Sequence, residues 1–60
     1  MPEYKIIIYW SNEDHVFVAE VPELPGCRAH GDTQEAALAH VREAIQLRID
    51  TAREFGEPIP

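Results

Sequence analysis

The stretch EVPELPGCRAHGDTQEAALAHV, Glu20–Val41, decides how this chain folds. It begins at the end of a β-like run and finishes inside a helix. Pro22 and Pro25 each fix φ and withhold an N–H, so PELPG (Pro22–Gly26) reads as a rigid connection rather than a floppy loop. CRAH (Cys27–His30) reads as a short strand. Gly31 breaks it, and either Asp32 or Thr33 can cap the helix that follows. Asp32 with Glu35 three residues later forms a capping-box pattern, and both acids complement the positive end of a helix dipole.

Upstream lie two β-like segments. YKIIIYW (Tyr4–Trp10) is β-branched and aromatic. Ile6, Ile8 and Trp10 fall on one face, Ile7 and Tyr9 on the other. SNEDH (Ser11–His15) is rich in turn formers. VFVAEV (Val16–Val21) pairs back as a hairpin, with Phe17, Ala19 and Val21 on one face and Val16, Val18 and Glu20 on the other. Downstream, the helix is expected over about Gln34 to Phe55, with Gly56 as its stop. At 100° per residue, Leu38, Val41, Ile45, Ile49 and Ala52 form one stripe, flanked by Ala37, Ala44 and Phe55. Leu47 points the other way. The expected fold is α+β: a three-stranded antiparallel sheet with one long helix on one face, and EPIP (Glu57–Pro60) available as a short C-terminal strand.

Composition bounds the rest. Sixty residues make one domain at most, residues 1–60. A chain this size buries only about 60% of its unfolded surface and gains from a metal, disulfides or self-association. Its single cysteine forms no internal disulfide and suits a reducing, cytoplasmic setting. No secretory leader and no membrane span is read here. Five Lys+Arg against eleven Asp+Glu give a net charge of −6, which disfavours direct nucleic-acid binding and suits a basic partner. Ile7 and Tyr9 have no cover from the helix, so a second copy, as dimer or tetramer, or another protein is expected on that face. Leaving such side chains wet forfeits roughly 1.5–3 kcal/mol each.

Tests for chemistry come out negative. Cys27 precedes a strand rather than a helix start, a poor setting for a reactive thiolate. Cys27 and His30 project to opposite faces of a strand and do not converge as zinc ligands; His40 falls roughly opposite the apolar stripe. The strands supply only Glu3 and Glu20, too few carboxylates for a two-metal nuclease. Phosphate-cradling glycines and a Ser-His-Asp pattern are not found. Arg28, Arg42, Arg48 and Arg53 are scattered, and the Arg48 stem can lie over the sheet. No catalytic residue, metal or cofactor is expected.

The pattern YKIIIYW…FVAEVPELPGCRAHGDTQEAALAHVREAI resembles the HicB-like antitoxin family. The likeness covers about residues 4–58 and is most specific in VAEVPELPGC and HGDT; the tail GEPIP is family-like as well. The resemblance implies a β-β-β-α-β unit, a partial and degenerate ribonuclease-H-like fold without the catalytic carboxylates. It also implies a partner: a small basic HicA-type toxin, an mRNA interferase of double-stranded-RNA-binding fold, blocked at its active site. Many family members add a C-terminal DNA-binding domain, for which residues 1–60 have no room. On this footing Glu20, Glu23, Asp32 and Glu35, with Trp10 as an apolar anchor, are the residues expected to meet the toxin. The competing reading is a non-catalytic homo-oligomeric binding or scaffold module with no toxin.

Overall fold

A computed structural model describes residues 4–58. Three strands, β1 (Ile7–Ser11), β2 (Val16–Glu20) and β3 (Arg28–Gly31), precede one helix, α1 (Gln34–Glu54). The sheet is antiparallel in the order β1-β2-β3, so the α+β architecture is the expected one. β1 starts later than Tyr4. In the observed register Ile7 pairs with Glu20. Continuing that register sets Lys5 opposite Pro22, which has no N–H to offer, so the ladder stops. The Lys5 N–H goes instead to the Glu23 carboxylate, 3.1 Å away.

The two faces differ as the alternation requires. Toward α1 lie Ile8, Ala19 and Ala29 in one cross-strand row, and Trp10, Phe17 and Gly31 in the next. The core gathers Ala19, Val21, Leu24, Cys27, Ala37 and Val41, with Tyr4, Ile6, Ile8, Phe17, Leu38 and Ile45 packed around it. α1 rests mainly on β3, less on β2 and least on β1. The opposite face carries Ile7, Tyr9, Val16, Val18, Glu20, Arg28 and His30. Val18 is buried there although none of the described elements covers that face; it sits between Tyr9 and His30 in the register. Exposed large apolar side chains of the sheet therefore concentrate on β1, at Ile7, Tyr9 and Trp10.

PELPG is two turns back to back. The Leu24 N–H donates to the Val21 carbonyl (3.1 Å) and the Cys27 N–H to the Leu24 carbonyl (2.9 Å). The second turn has Pro25 and then Gly26 at φ +83°, the arrangement of a type II turn, which needs positive φ at its third position. The double turn drives Leu24 into the core, where it is 1% exposed. Val21 donates to the Cys27 carbonyl (3.1 Å), which continues the β2–β3 ladder past the loop.

The helix cap is Thr33. Its Oγ1 accepts from the Ala36 N–H at 3.0 Å, so Glu35 falls at the second helical position and no capping box forms. Gly31 accounts for the choice: a Cβ there would lie 2.6 Å from the Ala37 nitrogen and 2.7 Å from the Ala36 Cβ. The strand runs straight into the first turn, and Thr33 is the residue still extended there. α1 ends at Glu54 with Phe55 as cap. The Glu57 N–H reaches the Ala52 carbonyl and the Gly56 N–H reaches that of Arg53, a Schellman closure. Phe55 does not flank the core; it is 69% exposed. Twenty-one residues of helix span roughly 31 Å, whereas a five-residue strand spans about 17 Å, so Phe55 projects past the sheet. Glu57 and Pro58 form no strand; Glu3, Ile59 and Pro60 lie outside the described residues.

Candidate protein-binding surface

The five expected contact residues divide between two ends of the sheet. Trp10, Asp32 and Glu35 belong to the end that holds the β1–β2 turn and the start of α1. Trp10 sits on the α1 side and is 47% exposed. Its ring stands edge-on to Phe17 (centroids 5.0 Å) and to His15 (6.3 Å). His15 holds φ +55°, a conformation costly for most side chains but among those His tolerates. Across the strand row Trp10 pairs with Phe17 and Phe17 with Gly31, so Asp32 follows directly on the row that begins with Trp10. Asp32 and Glu35 are both exposed.

Glu20 and Glu23 lie at the other end. Glu20 is on the open face, where its Oε1 accepts from the Tyr9 hydroxyl (2.9 Å) and faces the Arg28 guanidinium at 3.5 Å. Arg28 also donates to the Tyr9 oxygen (3.2 Å). The carboxylate beside the phenol, first by its hydrogen bond, raises the Tyr9 ionisation above its usual value of 10.0. Glu23 is occupied by the Lys5 N–H. Tyr9, which the sequence places on the uncovered face, and Arg28, which it leaves among scattered arginines, join Glu20 in one cluster. Their signal was the alternation that puts Tyr9, Glu20 and Arg28 on one face, but only the register sets Arg28 opposite Glu20.

The groups tested for chemistry fall elsewhere. Cys27 is a buried core thiol, and burial pushes its pKa up from 9.0, with Arg48 offsetting part of the rise. That is the opposite of an activated thiolate. His40 is not opposite the sheet: its Nδ1 lies 2.6 Å from the His30 carbonyl at the outer edge of β3. Arg48 lies on α1 over the double turn and donates to the Pro25 carbonyl (3.0 Å). Among the described residues no three His, Cys, Asp or Glu side chains converge as a metal site, and no helix is long and apolar enough to cross a membrane.

What remains is a small sheet with one apolar edge strand and carboxylates at both ends, a surface suited to holding another macromolecule. Comparisons with known proteins agree. The family model of the HicB-like antitoxin of bacterial toxin–antitoxin systems matches residues 4–60. A UPF0150 protein of Thermoplasma acidophilum is 40% identical over 58 residues, 97% of this chain and 83% of its own length. A UPF0150 protein of Synechocystis is 39% identical over 57 residues, 95% of this chain and 77% of its own. An uncharacterised 14.9 kDa protein of Haemophilus phage HP1 is 39% identical over 44 residues, a third of its length. No solved structure matches. The chain belongs to the HicB-like antitoxin family.

Proposed function

We propose that this chain is an antitoxin that acts in the cytoplasm by covering the active site of a HicA-type mRNA interferase, without touching nucleic acid and without catalysis of its own. Family membership implies a toxin partner in general. The observation that carries the finer reading is the half-exposed Trp10, at the sheet end where Asp32 and Glu35 flank the Thr33 cap of the helix. An RNA-cleaving toxin presents Lys and Arg to phosphates. Carboxylates at the same sheet end as an aromatic anchor mimic that target, speed encounter and exclude the substrate. Glu20 and Glu23 form a second acidic candidate at the opposite end, the first already shared with Arg28.

The test is growth rescue on co-expression with the cognate toxin. Charge reversal of Asp32 with Glu35, and separately of Glu20 with Glu23, assigns the contact to whichever pair abolishes rescue. Undiminished rescue removes a pair from the surface, and failure of the unaltered chain to rescue overturns the reading.

The apolar strand β1 favours one second reading, a homo-oligomeric binding module with no toxin. A small basic HicA-like reading frame beside the gene supports the antitoxin. A pull-down that returns only copies of this chain supports the module.

A further inference from the structure

α1 does not lie under the middle of the sheet. It rests mainly on β3, an edge strand, and least on β1, so its outer flank runs past the sheet with none of the described strands above it. Ala36, His40, Ala44, Leu47 and Thr51 line that flank at spacings of three and four, one side of a helix. The alanines keep it low beside β3, and Leu47 stands on it 68% exposed. The result is a groove along the free edge of β3. By helical rise it runs roughly 22 Å from Ala36 to Thr51, the reach of about seven extended residues.

The ladder identifies what β3 offers to that groove. The Val21 N–H donates to the Cys27 carbonyl, so alternation makes Ala19/Ala29 and Phe17/Gly31 the bonded pairs between β2 and β3. Arg28 and His30 therefore turn their backbone N–H and C=O away from the sheet. The His30 carbonyl meets His40 Nδ1. None of the described residues takes up the Arg28 N–H and C=O or the His30 N–H. In a chain of net charge −6, two of the five Lys and Arg residues, Arg28 and Arg48, border this one strip together with His30 and His40. Asp32, at the far end, is the one carboxylate among the described residues that line it.

We propose that the groove binds an extended acidic segment of another protein, added to the sheet as a fourth strand antiparallel to β3. A residue opposite Arg28 closes both of its bare groups, and one opposite His30 accepts from its N–H. Facing residues share a face of the sheet. Carboxylates opposite Arg28 and His30 therefore meet those side chains on the open face, and apolar residues opposite Cys27 and Ala29 turn down onto Leu47, Ala44 and His40. The segment thus alternates acidic and apolar residues. A second copy of the chain does not fit, because β3 against β3 brings Arg28 and His30 against the same two residues with no carboxylate to meet them. Nucleic acid carries no run of amides to complete the ladder. The chemistry is the reverse of the acidic surface proposed for the toxin, so this inference goes beyond that reading and is tested on the chain without toxin.

The probe is a fluorescein-labelled octapeptide of alternating glutamate and valine, titrated into the purified chain at neutral pH and low salt. Saturable binding is expected, at least tenfold tighter than for two comparison peptides. One carries lysine in place of glutamate. The other is N-methylated at its glutamates and so lacks the N–H that reaches the Arg28 carbonyl. In amide exchange Arg28 and His30 are expected to gain at least tenfold protection at saturation, while Ile8 and Trp10 on β1 are unchanged. Leu47→Ser, at a side chain too exposed to disturb the fold, is expected to weaken the peptide at least fivefold. No binding up to millimolar peptide, equal binding of the three peptides, protection gained at Ile8 and Trp10 instead, or displacement of the peptide by a single-stranded RNA of equal length overturns the proposal.

Discussion

The Arg48 guanidinium donates to the Pro25 carbonyl at 3.0 Å and so ties the middle of α1 to the double turn that carries Leu24 into the core. Twenty-three positions apart in sequence, the two residues join the helix to the end of the fold that holds the double turn.

Removing that tie is expected to cost about 0.5–1.5 kcal/mol, the ordinary net worth of one such hydrogen bond. Arg48→Met keeps the apolar stem and isolates the hydrogen bond; Arg48→Ala should cost more, because the stem also packs. Urea denaturation of the two variants checks the order. Equal stabilities for Arg48→Met and the unaltered chain mean the contact contributes nothing.

Gly31→Ala is expected to destabilise by about 1–3 kcal/mol, the range for overpacking. A Cβ there meets the Ala37 nitrogen at 2.6 Å, backbone that cannot swing aside. In a domain this small each kilocalorie lowers Tm by roughly 4–8 °C. A thermal melt within a degree of the unaltered chain contradicts the close approach of β3 to α1.

Cys27 should resist thiol reagents at neutral pH while the chain is folded, because burial disfavours its thiolate. Modification is expected to follow unfolding, with the labelling rate rising in step with urea. Rapid stoichiometric labelling of native protein means the thiol is not in the core.

Tyr9 should ionise above 10.0, held protonated chiefly by its hydrogen bond to Glu20. A group whose pKa is raised by folding stabilises the fold below its unfolded pKa, and that contribution fades as pH climbs through the folded pKa. The contribution is therefore intact at neutral pH and lost only in strong alkali. Spectrophotometric titration of Glu20→Gln is expected to bring Tyr9 back toward 10.0, and an unchanged titration refutes the pairing.

Much of the fold was legible because the signals are local. Val16–Glu20 is a β-branched and aromatic run, Pro22 and Pro25 with Gly26 write out a double turn, and the 3.6-residue spacing of Val41, Ile45, Ile49 and Ala52 marks the helix. What escaped depends on distances across the chain. Asp32 and Thr33 are adjacent and equally good caps in isolation; only the packing of Gly31 on Ala36 and Ala37 chooses Thr33. The start of β1 is set by Pro22 across the hairpin rather than by the isoleucines themselves. Arg28 meets Glu20 because the length of the PELPG turn fixes the register, and Phe55 is exposed because the helix outruns the sheet. Trp10 was expected as an apolar anchor on the footing of the family resemblance. The structure adds its neighbours Phe17 and His15.

Under the proposed function this chain silences an RNA-cleaving toxin by occupying its active site. The most direct measurement is cleavage of a labelled RNA by the purified cognate HicA-type toxin while the purified chain is titrated in. Cleavage should fall to background at stoichiometric addition and recover when Asp32 and Glu35 are reversed to Lys. Cleavage that continues undiminished in excess of the unaltered chain overturns active-site occlusion.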